Sequence, residues 1–163
     1  MLPEAQAKSY ASRLRNDTLI PLNGGRGICG FRRDLDHYCR STMEANFARV
    51  LLLEGVPYEH EPRMFSLPSG RHYTPDFRLT HPLGDLVPAG WVELKGWRKK
   101  DGSLPDGVAE KVAEFEAATG ERVFVLTLHD PAWARLEGEH RPRVPLWETP
   151  TRNLRTHPKV FGR

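Results

Sequence analysis

Residues 73–96 read Y-T-P-D-F-R-L-T-H-P-L-G-D-L-V-P-A-G-W-V-E-L-K-G, and this stretch decides the fold. Its two ends are typical of β-strands, whose side chains alternate between two faces, and its middle is typical of a hairpin loop. Alternation places Asp76 on one face of the first strand, and Glu93 and Lys95 together on one face of the second. Pairing of the strands would bring these three side chains together at one end of a sheet. Two carboxylates beside an ammonium predict a divalent-metal site with a neighbouring cation.

The flanking sequence predicts helices and further strands, and therefore an α/β domain. From Ser41 the apolar residues recur at helical spacing, and Gly55 is a natural stop. An apolar run at 122–128 is expected of a buried strand, and the helix before it implies a crossover that makes a parallel pair. The predicted elements are a helix at 3–15, a helix from 41 to the stop at 55, strands at 56–61, 63–67, 73–79 and 91–96, a helix from 106 or 107 to 120, a strand at 122–128 and a helix at 130–136.

The composition is that of an ordinary globular protein. With 163 residues, 39% of them hydrophobic and 28% charged, the chain suits one domain. No apolar run approaches the ~20 residues of a membrane span, and the N-terminus lacks signal-peptide features, so we expect an intracellular protein without membrane partners. Two cysteines are too few for a disulfide framework, and Cys29, His37 and Cys39 lack the paired spacing of a zinc site.

The charge distribution leaves two interpretations open. The formal net charge of +3 is compatible with nucleic-acid binding. Basic residues follow the E-L-K strand directly and recur in the tail after residue 140. They form either two solvated surfaces or a surface that contacts DNA.

A glycine-rich segment precedes these elements. The sequence N-G-G-R-G-I-C-G at 23–30 contains the G-x-G-x-x-G pattern of dinucleotide sites, which requires a strong strand before it and an apolar helix after it. The following F-R-R-D-L-D-H-Y is no such helix. We therefore interpret the segment as a flexible or capping loop and reject a dinucleotide site.

The order of these motifs resembles the PD-(D/E)xK nuclease superfamily. Pro75-Asp76 matches the P-D element, and Glu93-Leu94-Lys95 matches the (D/E)-x-K element. Glu44 lies where that family carries a glutamate on its first core helix. The segments R-S-T-M-E-A-N-F-A-R at 40–49, Y-E-H-E-P at 58–62 and Y-T-P-D-F at 73–77 are most similar to small phage enzymes, namely Holliday junction resolvases and phage endonuclease I-like proteins.

The resemblance covers residues 40–128 and implies an α/β fold with a restriction-endonuclease-like core. Such a core has the order α-β-β-β-α-β, with a mixed central sheet flanked by helices. The predicted organisation is an N-terminal extension at 1–39, a nuclease core at 40–137 and a basic, proline-containing tail at 138–163.

Glu44 also has a purely structural explanation. Ser41-Thr42-Met43-Glu44 is a capping box, in which the glutamate would bond back to the N-cap amide. Taken alone, Glu44 is better explained by capping. Its occurrence together with Asp76, Glu93 and Lys95 favours a functional role instead.

The residue types predict Mg²⁺, with Mn²⁺ as a substitute, because hard ions prefer oxygen ligands. Asp76 and Glu93 would supply carboxylates, Leu94 its backbone carbonyl, and Glu44 a direct or water-mediated ligand. Such an ion lowers the pKa of a bound water, and Lys95 would orient or deprotonate that water or offset transition-state charge. Secondary site candidates are Glu61, Tyr73 and His72.

The resemblance implies a Mg²⁺-dependent DNA endonuclease that resolves four-way junctions by paired nicks as a homodimer, in a bacterial cytoplasm if a phage encodes it. Alternatives are a homing or restriction-like endonuclease acting on duplex DNA and a non-catalytic DNA-binding protein. The predicted DNA contacts are Arg40, Arg71, Arg98, Lys99, Lys100, Arg152 and Arg155.

Overall fold

A computed structural model describes residues 29–149 of the chain. The predicted helix at 3–15, most of the glycine-rich segment, Arg152 and Arg155 lie outside these residues. No helix within 29–149 is long and apolar enough to cross a membrane.

The described residues form a mixed α/β fold with three α-helices and eight short strands. The strands are β1 (Gly30–Arg32), β2 (His37–Cys39), β3 (Tyr58–His60), β4 (Phe65–Ser66), β5 (His72–Tyr73), β6 (Phe77–Leu79), β7 (Gly90–Lys95) and β8 (Val123–Thr127). The helices are α1 (Thr42–Leu53), α2 (Val108–Thr119) and α3 (Pro131–His140), and a 3₁₀ turn follows at Arg141–Arg143.

The centre of the fold is a four-stranded mixed sheet in the order β3-β6-β7-β8. Strands β3, β6 and β7 pair antiparallel, which confirms the predicted hairpin around the connector at 81–90. Strands β7 and β8 pair parallel, with Glu93 opposite Val125. The parallel pair predicted from the strand-helix-strand order is thus confirmed.

Apolar side chains pack on both faces of this sheet. Val92 and Leu94 belong to the larger core cluster, with residues of α1 and α3. Trp91, on the opposite face, packs in a second cluster with Val112 and Phe115 of α2. The alternation predicted for the E-L-K strand is therefore the one observed, and it turns the Glu93 side chain away from the larger cluster.

Helices α1 and α2 begin and end close to their predicted limits. Ser41 caps α1, because its Oγ accepts a hydrogen bond of 3.1 Å from the Glu44 amide. Helix α2 lies between Gly107 and Gly120, both in the left-handed conformation that glycine adopts without strain. Helix α3 continues through Gly138 to His140 and so exceeds the predicted end at 136.

The continuous strand predicted at 73–79 is wrong. Two short strands take its place, and β5 pairs with β4 in a separate two-stranded sheet, whereas β6 joins the central sheet. Pro75 lies in the break and cannot donate a backbone hydrogen bond, so it interrupts a strand ladder. The break leaves Asp76 immediately before the first residue of β6, at one end of that strand.

The strand predicted at 56–61 and resumed at 63–67 is also divided between two sheets. Strand β3 ends at His60, and the next residue, Glu61, has a φ of 44°, which is unusual outside glycine. Pro62 follows, so the chain leaves the central sheet before β4 begins.

Strands β1 and β2, which the sequence analysis did not predict, form a hairpin before α1. Its Arg32 and Asp34 are fully buried. Arg32 pairs with Glu148 at 2.8 Å, and Arg49 pairs with Asp34 and with Glu148 at 2.7 Å each. These four residues, called the ion network below, join the hairpin and the segment near 148 to α1.

Candidate active site

A pocket of about 490 Å³ opens where the break before β6 meets the end of β7. The predicted site residues that line it include Glu44, Tyr73, Asp76, Glu93, Leu94 and Lys95. The structure thus brings the P-D and E-x-K elements together, and α1 and α2 contribute further walls.

Asp76 is buried at the base of this pocket, and a backbone amide orients it. The Leu94 N–H donates a hydrogen bond of 2.7 Å to its Oδ2. Burial and the negative charge of Glu93 raise the pKa of Asp76 to about 8, although the Leu94 amide opposes the shift. The raised pKa therefore reflects burial first and the neighbouring Glu93 charge second, and both disfavour a negative charge on Asp76.

Glu93 accepts hydrogen bonds on both carboxylate oxygens. The Tyr73 hydroxyl donates to Oε2 at 3.0 Å, and the Lys95 ammonium lies 2.8 Å from Oε1. Burial, followed by the Glu93 charge, raises the pKa of Tyr73 well above its ordinary value. Tyr73 therefore remains a neutral donor that holds the Glu93 carboxylate in one orientation.

Lys95 lies at the mouth of the pocket with its side chain one-third exposed, at 33%. Burial by itself would lower the pKa of Lys95, but the charges of Glu93, Asp76 and Glu44 outweigh it and raise the pKa. Lys95 is therefore an ammonium at neutral pH.

Glu44 lines the same pocket, and its carboxylate also contacts residues outside the Asp76–Glu93 pair. Its Oε2 accepts a hydrogen bond of 2.9 Å from the Arg40 amide and lies 3.2 Å from His60 Nε2. The Ser41 half of the predicted capping box is confirmed. The other half is wrong, because Glu44 binds the amide of Arg40, one residue before the N-cap.

The donor set in the pocket fits a hard divalent cation. Asp76 and Glu93 place two buried carboxylates together, and the Lys95 ammonium lies 2.8 Å from Glu93. Arg40 and Lys111 also line the pocket. The carboxylates offer oxygen atoms as ligands, as Mg²⁺ prefers. A divalent ion bound here would favour the ionised form of Asp76, which burial and the Glu93 charge disfavour.

The secondary candidates are divided between this pocket and its surroundings. Tyr73 and His72 line the pocket, and His72 is exposed beside the Ser66 hydroxyl at 3.4 Å. Glu61 instead pairs with the guanidinium of Arg40 at 2.7 Å.

Several predicted DNA-contacting cations already have acidic partners. Arg71 pairs with Glu114 at 3.1 Å, Arg98 pairs with Asp130 at 3.0 Å, and Lys99 contacts Asp106. Lys100 is exposed on the same loop as Arg98 and Lys99. A phosphate would have to compete with these carboxylates. The prediction that these basic residues contact DNA is therefore weaker than their charge alone suggests.

Several residues in or near the pocket were not predicted as site residues, among them Asp106, Lys111 and His60. Lys111 lines it from α2, one turn after Val108, and that spacing was the available signal. His60 lies against Glu44, and no sequence pattern indicated this contact because the two residues belong to different elements.

Comparison with family models, with curated proteins and with solved structures finds no match to this chain.

Proposed function

We propose that this chain is a Mg²⁺-dependent DNA endonuclease that resolves four-way junctions by paired phosphodiester nicks. The observation that carries the proposal is the convergence of Asp76, Glu93 and Lys95 on one pocket, where Asp76 is buried and its pKa is raised. The order α1, β3, β6, β7, α2, β8, with the β4–β5 ribbon set aside, supports a restriction-endonuclease-like core.

Asp76 and Glu93 would hold the ion through their carboxylates, with the Leu94 carbonyl as a backbone ligand. A bound Mg²⁺ supplies Lewis acidity and a water of lowered pKa. The Leu94 amide fixes the rotation of Asp76, and Tyr73 fixes that of Glu93, so the two carboxylates are oriented before any ion arrives. Such preorganisation is what a hydrolytic site requires.

Lys95 acts in this proposal as a hydrogen-bond donor and a positive charge. Its raised pKa keeps the Nζ protonated, so it can orient the attacking water and stabilise charge on the phosphate oxygens. Of the three roles predicted for Lys95 from the sequence, a protonated Nζ suits these two and does not suit deprotonation of the water.

The DNA substrate, the branched junction and the homodimer rest on the family resemblance. Two symmetric nicks across a junction match two sites related by a two-fold axis. Arg40 and Lys111 line the pocket as cations that can contact phosphate, so binding should weaken as salt concentration rises.

The test is cleavage of a synthetic four-way junction and of linear duplex of the same sequence, each with Mg²⁺. Paired nicks in the junction that disappear in Glu93→Gln and persist in the control Glu59→Gln, an exposed position on β3, support the proposal. Equal cleavage of linear duplex supports a restriction-like enzyme instead. Binding that persists in EDTA without cleavage under any metal supports a non-catalytic DNA-binding protein.

A further inference from the structure

A second group of potential ligands lies between α1 and the end of β3. Glu44, His60 and Glu61 each offer one ligand atom, and these atoms lie within 4.8 Å of one another. We propose that these three side chains form a binding site for a divalent transition-metal ion, separate from the Asp76–Glu93 pair. The inference does not depend on the nuclease proposal, because two of the three ligands, His60 and Glu61, were not assigned to that metal, and the class of metal differs.

The observed distances approach those of a coordination sphere. With metal–ligand bonds of about 2.1 Å, neighbouring ligand atoms lie about 3.0 to 3.4 Å apart and opposite ones about 4.2 Å. His60 Nε2 and Glu44 Oε2 are already 3.2 Å apart. Since the ligand atoms all lie within 4.8 Å of one another, the widest separation has to close by at most about 0.6 Å, and the Glu61 side chain, which is 23% exposed, can move by that amount.

The imidazole is held in place before any ion binds. The His60 ring stacks on His37 with centroids 4.5 Å apart and planes 19° apart, and it packs against Phe77 at 5.1 Å. His37 is itself fixed by the Tyr58 hydroxyl, 2.8 Å from its Nε2. A ligand held by packing and by an outer hydrogen bond loses little entropy when it binds a metal.

The ligand types select a different metal from the one proposed for the pocket. An imidazole nitrogen with two carboxylates suits Mn²⁺, Co²⁺ or Zn²⁺, whereas Mg²⁺ prefers an all-oxygen environment. The two groups of ligands are neighbours, because the Glu61 amide donates to the Asp76 carbonyl oxygen at 2.8 Å. They nevertheless differ, because the Glu44–His60–Glu61 group includes a nitrogen ligand and the Asp76–Glu93 pair does not. An experiment that detects a metal–nitrogen bond can therefore distinguish the two sites.

Arg40 competes with the ion for this group. Its guanidinium pairs with Glu61 at 2.7 Å, and its side chain is 63% exposed. Two carboxylates against one guanidinium leave one negative charge, whereas a divalent ion balances both. Metal binding would therefore release Arg40, which also lines the neighbouring pocket.

The test is a Co²⁺ titration of the Asp76→Asn/Glu93→Gln double variant of the full chain, followed by visible absorption and calorimetry. We expect one equivalent to bind through nitrogen and oxygen, without the intense near-ultraviolet band of a cobalt thiolate. Adding His60→Asn or, separately, Glu61→Gln should weaken binding by about 100-fold or more, since even outer partners of a metal site are worth 10- to 100-fold. The matched control Glu59→Gln, made in the same double variant, should bind Co²⁺ as tightly as the double variant itself.

Arg40→Ala should tighten Co²⁺ binding by up to about fivefold, because exposed ion pairs contribute at most about 1 kcal/mol. Equal binding in the His60→Asn and Glu61→Gln variants would overturn the proposal. A thiolate band would also overturn it, by assigning the ion to Cys29 or Cys39. The Co²⁺ titration uses a double variant that lacks the Asp76 and Glu93 carboxylates. Its outcome is therefore independent of whether the wild type cleaves DNA.

Discussion

Two groups of buried charged side chains within residues 29–149, the ion network and the pocket, differ in how their charges are paired. The ion network sets two guanidiniums against two carboxylates, and its ion-paired side chains are at most 3% exposed. In the pocket the buried carboxylates of Asp76 and Glu93 lie beside a cavity of about 490 Å³, and the paired cation, Lys95, is one-third exposed. Both clusters join elements that are distant in the sequence.

The difference separates a structural cluster from a functional one. Buried charges are tolerated when they are paired and hydrogen-bonded, and the ion network meets that condition. In the pocket Glu93 is paired with Lys95, but Asp76 accepts its hydrogen bond from an uncharged donor, the Leu94 amide, and burial together with Glu93 raises the pKa of Asp76 to about 8. A buried acid with a perturbed pKa beside a cavity is typical of sites that bind or transform a ligand.

The largest effect should come from removing a pocket carboxylate. Glu93→Gln should lower the cleavage rate by about 10⁴-fold or more, equivalent to about 5.5 kcal/mol of transition-state stabilisation, because it removes a proposed metal ligand. Initial rates on a junction substrate measure this, with urea unfolding as a check that the fold survives. Asp85→Asn, on the connector, is the control. If Glu93→Gln cleaved the junction as fast as Asp85→Asn does, the pocket would not be the active site.

The next largest effect should come from breaking the ion network. Arg49→Met removes the guanidinium that pairs with both Asp34 and Glu148, although Arg32 still pairs with Glu148, so the free energy of unfolding should fall by about 3 to 5 kcal/mol. Urea denaturation measures the change. Arg135→Met removes exposed ion pairs by the same substitution and should have a far smaller effect. Equal changes in the two variants would mean that the network contributes no more than surface pairs do.

The two clusters also differ in how far the sequence predicts them. Hydrophobic periodicity predicts α1, α2 and the β7–β8 parallel pair, and alternation together with the P-D and E-L-K motifs groups Asp76, Glu93 and Lys95. The ion network has no such pattern. Arg32 and Glu148 are 116 residues apart, and their local sequences are indistinguishable from those of solvated charges. Only tertiary packing determines that they are buried.

The same limit explains the errors within 56–79. The alternation predicts extended chain correctly at β3 and β6. It does not reveal that Pro75 interrupts one strand or that Glu61 takes a positive φ, and these local backbone features assign β4 and β5 to a separate ribbon. The orientation of Glu44 towards His60 was equally inaccessible, because it depends on where β3 passes α1.

An effect similar in size to that of Arg49→Met should appear in the pH dependence of stability without metal. An acid with a higher pKa in the folded protein binds its proton more tightly when folded, so stability falls as pH rises between the two values. For Asp76 that window runs from its ordinary 3.8 to about 8. Because each pKa unit corresponds to about 1.4 kcal/mol, Asp76→Asn should stabilise the metal-free protein by up to about 5 kcal/mol at pH 8 and by almost nothing at pH 4.

Thermal or urea unfolding across this pH range, with EDTA present, measures the difference between Asp76→Asn and the wild type. Adding Mg²⁺ should stabilise the wild type at pH 8 and leave Asp76→Asn unchanged, since binding to the folded state alone raises stability. Parallel pH curves for the two proteins would mean that folding does not raise the pKa of Asp76. The contrast with the ion network would then fail.

The smallest effect should come from Tyr73→Phe, which leaves the charges of the pocket unchanged. The substitution removes the hydroxyl that donates to Glu93 Oε2 at 3.0 Å but keeps the ring that packs against Phe115. We expect Mg²⁺ binding about tenfold weaker, because a carboxylate without its outer partner is less well oriented. Calorimetric titration with Mg²⁺ measures this, and unchanged affinity would mean that charge alone, without orientation by Tyr73, accounts for binding.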